Sequence, residues 1–223
     1  MRIGSRDFAT TGHTYIMGIL NVTPDSFSDG GKFNQIDAAL KHAEEMIRDG
    51  ADVIDIGGES TRPWGYTKIS DEEETGRVVP VIEAVKKEFG IPISVAQAGA
   101  DLINDIWGLK YDPHMSEVIA KSGLACCLMH NRDNTEYRNF MEDMKQDLRE
   151  TIALAKAAGI ADDKIILDPG VGFAKSYENN LEVIRRLKEF NELKYPVLLG
   201  TSRKSVIGLT LDLPAAERVE GTI

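Results

Sequence analysis

The sequence predicts an α/β fold built on a parallel sheet, a (β/α)8 barrel, from three observations. Short apolar runs recur between longer segments of helical period, the pattern of repeated βα units. Polar strings holding amide, carboxylate and hydroxyl groups stand just after those runs and before a helical segment, so all of them land on one rim, where such a barrel carries its chemistry. The 223 residues contain no Pro/Gly/Ser-rich linker and suit one domain over residues 1–223, since single barrels commonly take about 200 to 250 residues.

Taken in order, the candidate strands are residues 14–20, 52–57, 91–95, 101–106, 124–129, 164–168 and 196–200. After the first, Ile36, Ala39, Leu40, Ala43 and Ile47 fall on one helical stripe that ends at Gly50, the residue type expected just past a helix. Ser70 with Glu73 forms a capping-box pattern ahead of Val78, Val79, Ile82 and Val85 on a second helix. The periodic stretch from Glu136 to Ala158 predicts a long helix, and Leu181, Ile184 and Leu187 mark a later one.

Two irregularities qualify the barrel. Only Ala96-Gln97-Ala98-Gly99-Ala100 separates the third and fourth candidate strands, whereas a parallel crossover takes about a dozen residues. The chain also holds seven candidate strands where a closed barrel has eight. The expectation is therefore a (β/α)8 barrel with part of the third βα unit and the eighth strand absent from this chain.

Charge and cysteine usage exclude several classes. Lys and Arg total 26 against 36 Asp and Glu, a net charge of -10, with no like-charge block longer than Glu72-Glu73-Glu74; a nucleic-acid footprint needs a concentrated basic face. Cys126 and Cys127 are adjacent inside an apolar run, which suits buried reduced thiols better than a metal knuckle or a disulfide. No apolar run approaches the ~18 residues of a membrane span, and Met1-Arg2-Ile3-Gly4-Ser5 lacks the apolar core of a signal peptide. A soluble, cytoplasmic protein is expected, with no nucleic-acid or membrane partner.

The most informative string is Asn21-Val22-Thr23-Pro24-Asp25-Ser26-Phe27-Ser28-Asp29-Gly30-Gly31, directly after the apolar run Tyr15 to Leu20. It is joined by Asp55-Ile56-Gly57-Gly58-Glu59-Ser60-Thr61-Arg62-Pro63, Ile103-Asn104-Asp105, Leu167-Asp168-Pro169-Gly170-Val171-Gly172-Phe173 and Gly200-Thr201-Ser202-Arg203-Lys204-Ser205. Together these resemble the signatures of the dihydropteroate synthase family, folate-pathway enzymes inhibited by sulfonamides. The resemblance implies condensation of 6-hydroxymethyl-7,8-dihydropterin diphosphate with p-aminobenzoate, giving 7,8-dihydropteroate and pyrophosphate through a pterin cation.

Residue by residue, it implies a division of labour. A pterin edge asks for a carboxylate that accepts two N–H bonds, an amide that donates and accepts, and a cation at the carbonyl side. Asp168, Asn104 and Lys204 have those chemistries and match the family's pterin positions, with Met129 packing beside the ring. Asn21 matches the position that contacts Mg²⁺, and Thr61 a residue that binds the diphosphate-bearing substrate. Phe27, Pro63, Phe173 and Ser205 match the p-aminobenzoate pocket. Asn21, Asp168 and Lys204 form the expected catalytic set. Asp55 reads as a strand-end carboxylate that organises its neighbours, and His130 as a rim histidine satisfied by its surroundings.

The chain departs from the family pattern at three places. The third-strand Asp-Thr-Tyr-Lys-like motif has no counterpart where Val95 meets Ala96, the final-strand Arg-x-His motif is absent, and Trp64 stands between Pro63 and Gly65, where it is expected to alter loop reach or inhibitor contact. A corrinoid-linked methyltransferase domain, which binds a pterin in a similar barrel, and an inactive pterin-binding remnant are the alternative readings; a generic phosphate-binding barrel is a weaker one. Pairing through the last helices, as a homodimer, is a further implication of the resemblance.

Overall fold

The computed structural model describes residues 1–22, 32–58, 70–95 and 99–222, and the chain gathers into two compact units, Met1–Asn104 and Asp105–Ile223. Among the described residues, no helix is long and apolar enough to cross a membrane.

The first unit begins with a hairpin too short to announce itself in sequence: β1 (Arg2–Ile3) runs antiparallel to β2 (Arg6–Asp7). Then come β3 (Met17–Asn21), α1 (Lys32–Arg48), β4 (Val53–Gly57), α2 (Asp71–Phe89), β5 (Ile93–Val95) and β6 (Leu102–Asp105). Both helices sit where their apolar stripes placed them. Ser70 Oγ accepts from the Glu73 backbone N–H at 3.2 Å, satisfying a donor that the first turn of α2 leaves open, and Gly90 closes the other end in the left-handed region.

Strand alternation decides what each face of this sheet carries. Leu20, Ile54, Ile56, Ile93 and Val95 pack in one buried cluster with Ala39, Ala43, Val78, Ile82 and Val85 of the two helices. A fully buried isoleucine such as Ile54 contributes about 2 kcal/mol or more. The residue between the two buried isoleucines of β4, Asp55, therefore faces the other way, toward the polar side of the sheet.

The parallel register is Met17↔Val53 through Asn21↔Gly57, Asp55↔Ser94 and Val95↔Ile103. β5 pairs in parallel with β6 although only residues 96–100 separate their apolar runs, where a helix-containing crossover was expected and part of the third βα unit was read as absent from this chain. These strands are shorter than their apolar runs and overlap by two residue pairs, and the Asp101 N–H already bonds Ile93 O at 2.8 Å. The link between the two strands runs over residues 96–101. Part of it, residues 96–98, lies outside the described residues.

In the second unit the order is α3 (Met115–Ser122), β7 (Ala125–Met129), α4 (Phe140–Ala157), β8 (Ile165–Asp168), α5 (Tyr177–Arg185), a 3-10 segment at Leu187–Leu193 and α6 (Ser205–Leu211). β7 and β8 are buried throughout, as near-continuous apolar runs in a parallel sheet predict. They pair from Cys126↔Ile165 to Met129↔Asp168. Cys126 and Cys127 are free and buried, and burial first, with the nearby Asp105 charge, pushes the Cys126 thiol up to about 12.

One element differs from expectation. The run at 196–200 contributes a single bridge, Leu167↔Val197, flanked by bonds from Leu167 N to Pro196 O and from Leu198 N to Leu167 O. The long helix expected within Glu136 to Ala158 is present as α4; ahead of its start at Phe140 the Glu136 carbonyl accepts from Arg132 Nη1 at 2.6 Å and the Asp143 carboxylate accepts the Arg138 N–H at 2.8 Å.

Candidate active site

In the first unit, Asn21 stands exposed at the carboxyl end of β3. On the polar face beside it, Asp55 Oδ1 accepts from Ser94 Oγ at 2.6 Å and, more weakly, from Asn104 Nδ2 at 3.4 Å. Burial raises the Asp55 pKa, and those two donors oppose the shift by favouring the ionised carboxylate. Asp55 is thereby an organiser of neighbours, engaging the Asn104 amide nitrogen while the amide oxygen meets no donor among the described residues.

In the second unit, Asp168 ends β8 and is 7% exposed. Its Oδ1 accepts from the Gly170 N–H at 2.7 Å, and its other oxygen has no hydrogen-bond donor among the described residues. Burial raises the pKa of this carboxyl, while the Gly170 N–H and the charges of Lys204 and Lys175 pull it back toward ionisation. Met129 lies directly across the ladder from it.

The turn after Asp168 is built on glycine. Gly170 has φ +69°, and a Cβ there would fall 2.1 Å from the His130 carbonyl oxygen, so no other residue allows the turn to approach the end of β7 so closely. At Gly172, φ +86°, a Cβ would press on Lys204 Cδ at 3.1 Å. Asn180, buried on α5, accepts the Gly172 N–H at 2.6 Å.

Lys204 reaches back over this turn. Its Nζ donates to the Val171 carbonyl and lies 4.9 Å from the centroid of the Phe173 ring. Burial lowers the Lys204 pKa, and Asp168 opposes that. The backbone of Lys204 is pinned as well: Arg218 donates through Nη1 to Arg203 O at 2.9 Å and Lys204 O at 3.3 Å, and through Nε to Leu213 O at 2.9 Å. Ser205 follows at the exposed start of α6.

Behind the turn runs a chain of charges that the sequence gives little sign of. Lys175 Nζ lies 3.0 Å from His130 Nδ1 and donates to Phe173 O at 2.9 Å. His130 Nε2 is 2.9 Å from Asp147 Oδ2, which also accepts from Arg132 Nε at 2.6 Å. Burial first, then the Lys175 and Arg132 charges, lower His130 to about 4 against the pull of Asp147. Burial pushes Asp147 up, but hydrogen bonds from His130 and Arg132 outweigh it and hold the carboxyl well below the usual range. Lys175 is lowered to about 7, chiefly by burial and against the attraction of Asp168. His130 is thus satisfied at both ring nitrogens, as its rim position suggested.

Of the expected site residues, Asp168, Lys204, Phe173 and Met129 gather in the second unit, and Asn21 and Asn104 stand at strand ends in the first. Phe27, Thr61 and Pro63, with the Trp64 that follows, lie outside the described residues. Lys175, Asp147 and Ser94 were missed. The one local signal for Asp147 was a carboxylate set between Met144 and Leu148 on the buried side of α4.

A family model described as pterin binding enzyme matches residues 17–223. The dihydropteroate synthase of Clostridium beijerinckii is 60% identical, over 100% of this chain and 87% of its own length. That alignment covers 234 residues against 223 here, so the relative carries residues that this chain lacks. Among solved structures, a dihydropteroate synthase from Clostridium difficile in the presence of pteroic acid shares 50% identity, with a TM-score of 0.92 over 97% of this chain and 86% of that one. The enzyme of Xanthomonas albilineans with 4-aminobenzoic acid shares 39% identity, with a TM-score of 0.87 over 94% of this chain and 81% of that one.

Proposed function

The chain belongs to the family of pterin-binding enzymes, and we propose from that premise how its residues divide the dihydropteroate synthase reaction. It is a transferase of (β/α)8-barrel class, joining 6-hydroxymethyl-7,8-dihydropterin diphosphate to p-aminobenzoate with release of pyrophosphate in folate biosynthesis. The observation that carries the reading at the level of residues is Asp168: a buried carboxylate with one oxygen engaged by its own turn, the other without a donor among the described residues, and Lys204 charged beside it.

In this proposal both oxygens of Asp168 accept the N–H groups of the pterin edge, Lys204 donates to the carbonyl side, and Asn104 adds its amide. Met129 packs against the ring, Phe173 and Ser205 serve the aromatic acid, and Phe27, Thr61 and Pro63 keep the roles that the family resemblance gives them. The pterin methylene C–O bond breaks with its electron pair leaving on pyrophosphate. The arylamine nitrogen then closes the C–N bond and sheds its proton. An arylamine is already neutral at pH 7, so holding it in line matters more than a strong base.

Asn21 is the residue that would hold Mg²⁺. It stands exposed at the carboxyl end of β3, and its side-chain oxygen is the hard donor that Mg²⁺ takes, an ion that keeps its other positions for phosphate oxygens and water. Bound there, the ion would supply charge stabilisation to the departing pyrophosphate. A cytoplasmic homodimer belongs to the same proposal and is supported by the family resemblance.

The test is release of pyrophosphate from the pterin diphosphate, with p-aminobenzoate present and absent. Release that depends on p-aminobenzoate, with dihydropteroate as co-product, is the expected result. Tight pterin binding without release would point to a binding remnant, and methyl transfer to a corrinoid would point to the other pterin-binding class.

A further inference from the structure

We infer that Lys175 is a positioning residue for the pterin-reading turn, tying Phe173 at its far end to His130 at the end of β7 and so fixing Asp168 between them. The inference rests on the reading of Asp168 given above.

The backbone ladder between β7 and β8 ends at the bond from His130 N to Asp168 O, 2.8 Å. Beyond it the chain enters a turn with three left-handed residues, Gly170, Gly172 and the non-glycine Ala174 at φ +45°. A non-glycine in that region is strained and persists only where its surroundings hold it. Two donors do so from behind: Lys175 Nζ bonds Phe173 O at 2.9 Å, and Tyr137 Oη donates to Ala174 O at 2.9 Å.

The anchor on the other side of Lys175 has its direction fixed. Asp147 is ionised and can only accept, so the ring carries its proton on Nε2, which donates to Asp147 at 2.9 Å, and Nδ1 is left to accept from Lys175 Nζ at 3.0 Å. Asp147 is in turn held by Arg132 at 2.6 Å, and Arg132 lies 4.4 Å from the centroid of the Tyr137 ring. The His130 side chain is 0% exposed, so water does not compete for either ring nitrogen. The sequence Arg132, Asp147, His130, Lys175 alternates charge around a neutral ring and closes on Phe173 O and the field of Asp168. Nothing in the reaction needs Lys175 to touch either substrate. Its work is to keep the Asp168 carboxylate ionised and aimed.

Because Asp168 meets the pterin before and during reaction alike, misplacing it weakens binding of ground state and transition state together, which raises KM and spares kcat. A merely structural loss lowers the active fraction, and hence kcat, with KM unchanged. Lys175→Met keeps the length of the side chain and removes its donors and charge. The expected result in the full chain is a KM for the pterin diphosphate, and a calorimetric Kd for the pterin alone, raised about tenfold or more with kcat within about threefold, from the loss of two charge-assisted hydrogen bonds. Pterin KM and Kd within about twofold of wild type overturn the inference, whatever kcat does. If the variant does not fold, ¹⁵N NMR of the wild type decides: an Nε2–H tautomer of His130 supports the tie, and an Nδ1–H tautomer overturns it. A wild type that releases no pyrophosphate when given both substrates sinks the parent reading, whereas an active wild type with an unaltered Lys175→Met variant sinks this one alone.

Discussion

His130 Nε2 and Asp147 Oδ2 lie 2.9 Å apart, joining the end of β7 to the middle of α4 across a ring that water does not reach. The imidazole is neutral in the folded protein, with Arg132 and Lys175 on either side of the Asp147–His130 pair.

That pair makes the fold acid-sensitive in a defined window. His130 titrates at about 4 when folded and 6.5 when unfolded, so between those values the unfolded chain binds a proton that the folded chain does not. Stability therefore rises with pH through the window and is lost as pH falls from 6.5 to 4, by about 3 kcal/mol from this group. Asp147, depressed in the folded state, adds a loss of the same sign below its ordinary value. Thermal midpoints measured from pH 7 to pH 4 should fall, and His130→Gln should fall less steeply over that range. Parallel pH dependences in the two proteins would contradict the assignment.

Asp168→Asn separates function from stability. An asparagine still accepts the Gly170 N–H but turns a donor toward the pterin edge, so pterin affinity should drop at least tenfold to a hundredfold, on the order of 1.5–3 kcal/mol. The carboxyl at this site already has its ionised form disfavoured by burial, so the thermal midpoint at pH 7 should hold or rise. A variant that binds the pterin normally, followed by calorimetry, would remove Asp168 from the site.

Gly170→Ala should be the costliest small substitution near the site. The new methyl meets the His130 backbone oxygen at 2.1 Å while φ stays at +69°, and neither can relax without lifting the turn from β7. A loss of about 2–4 kcal/mol in urea unfolding is expected, more than for Gly172→Ala, whose methyl meets only the flexible Lys204 side chain.

Ser94→Ala tests the polar face of the first unit. It removes the 2.6 Å donor to Asp55 and leaves a poorly solvated carboxylate with the longer Asn104 contact alone. Unfolding free energy should fall by about 1–3 kcal/mol at pH 7, and less at acid pH where Asp55 protonates. An equal loss at both pH values would mean that Asp55 is not the cause.

Local rules made much of this legible. The apolar run 164–168 announced a strand ending at Asp168, and β8 ends there; Ser70 and Glu73 announced a helix start, and α2 begins there. What stayed hidden depends on partners far along the chain. Lys175 meets His130 across 45 residues, Asp147 meets it across 17, and Ser94 meets Asp55 across 39, and no periodicity encodes such pairs. Strand lengths were overread for a related reason. An apolar run states that a segment is buried, but the number of paired residues depends on the neighbour, and Val197 finds only one rung on Leu167.

Arg218 has a bearing on recognition that its place beyond α6 conceals. By holding the carbonyls of Arg203 and Lys204, it fixes the backbone beneath the lysine before any ligand arrives. The conformational entropy of that loop is surrendered on folding, not on association. This side of the proposed site therefore behaves as a preformed template, and differences in affinity among ligands that reach Lys204 should appear in how fast they leave more than in how fast they arrive.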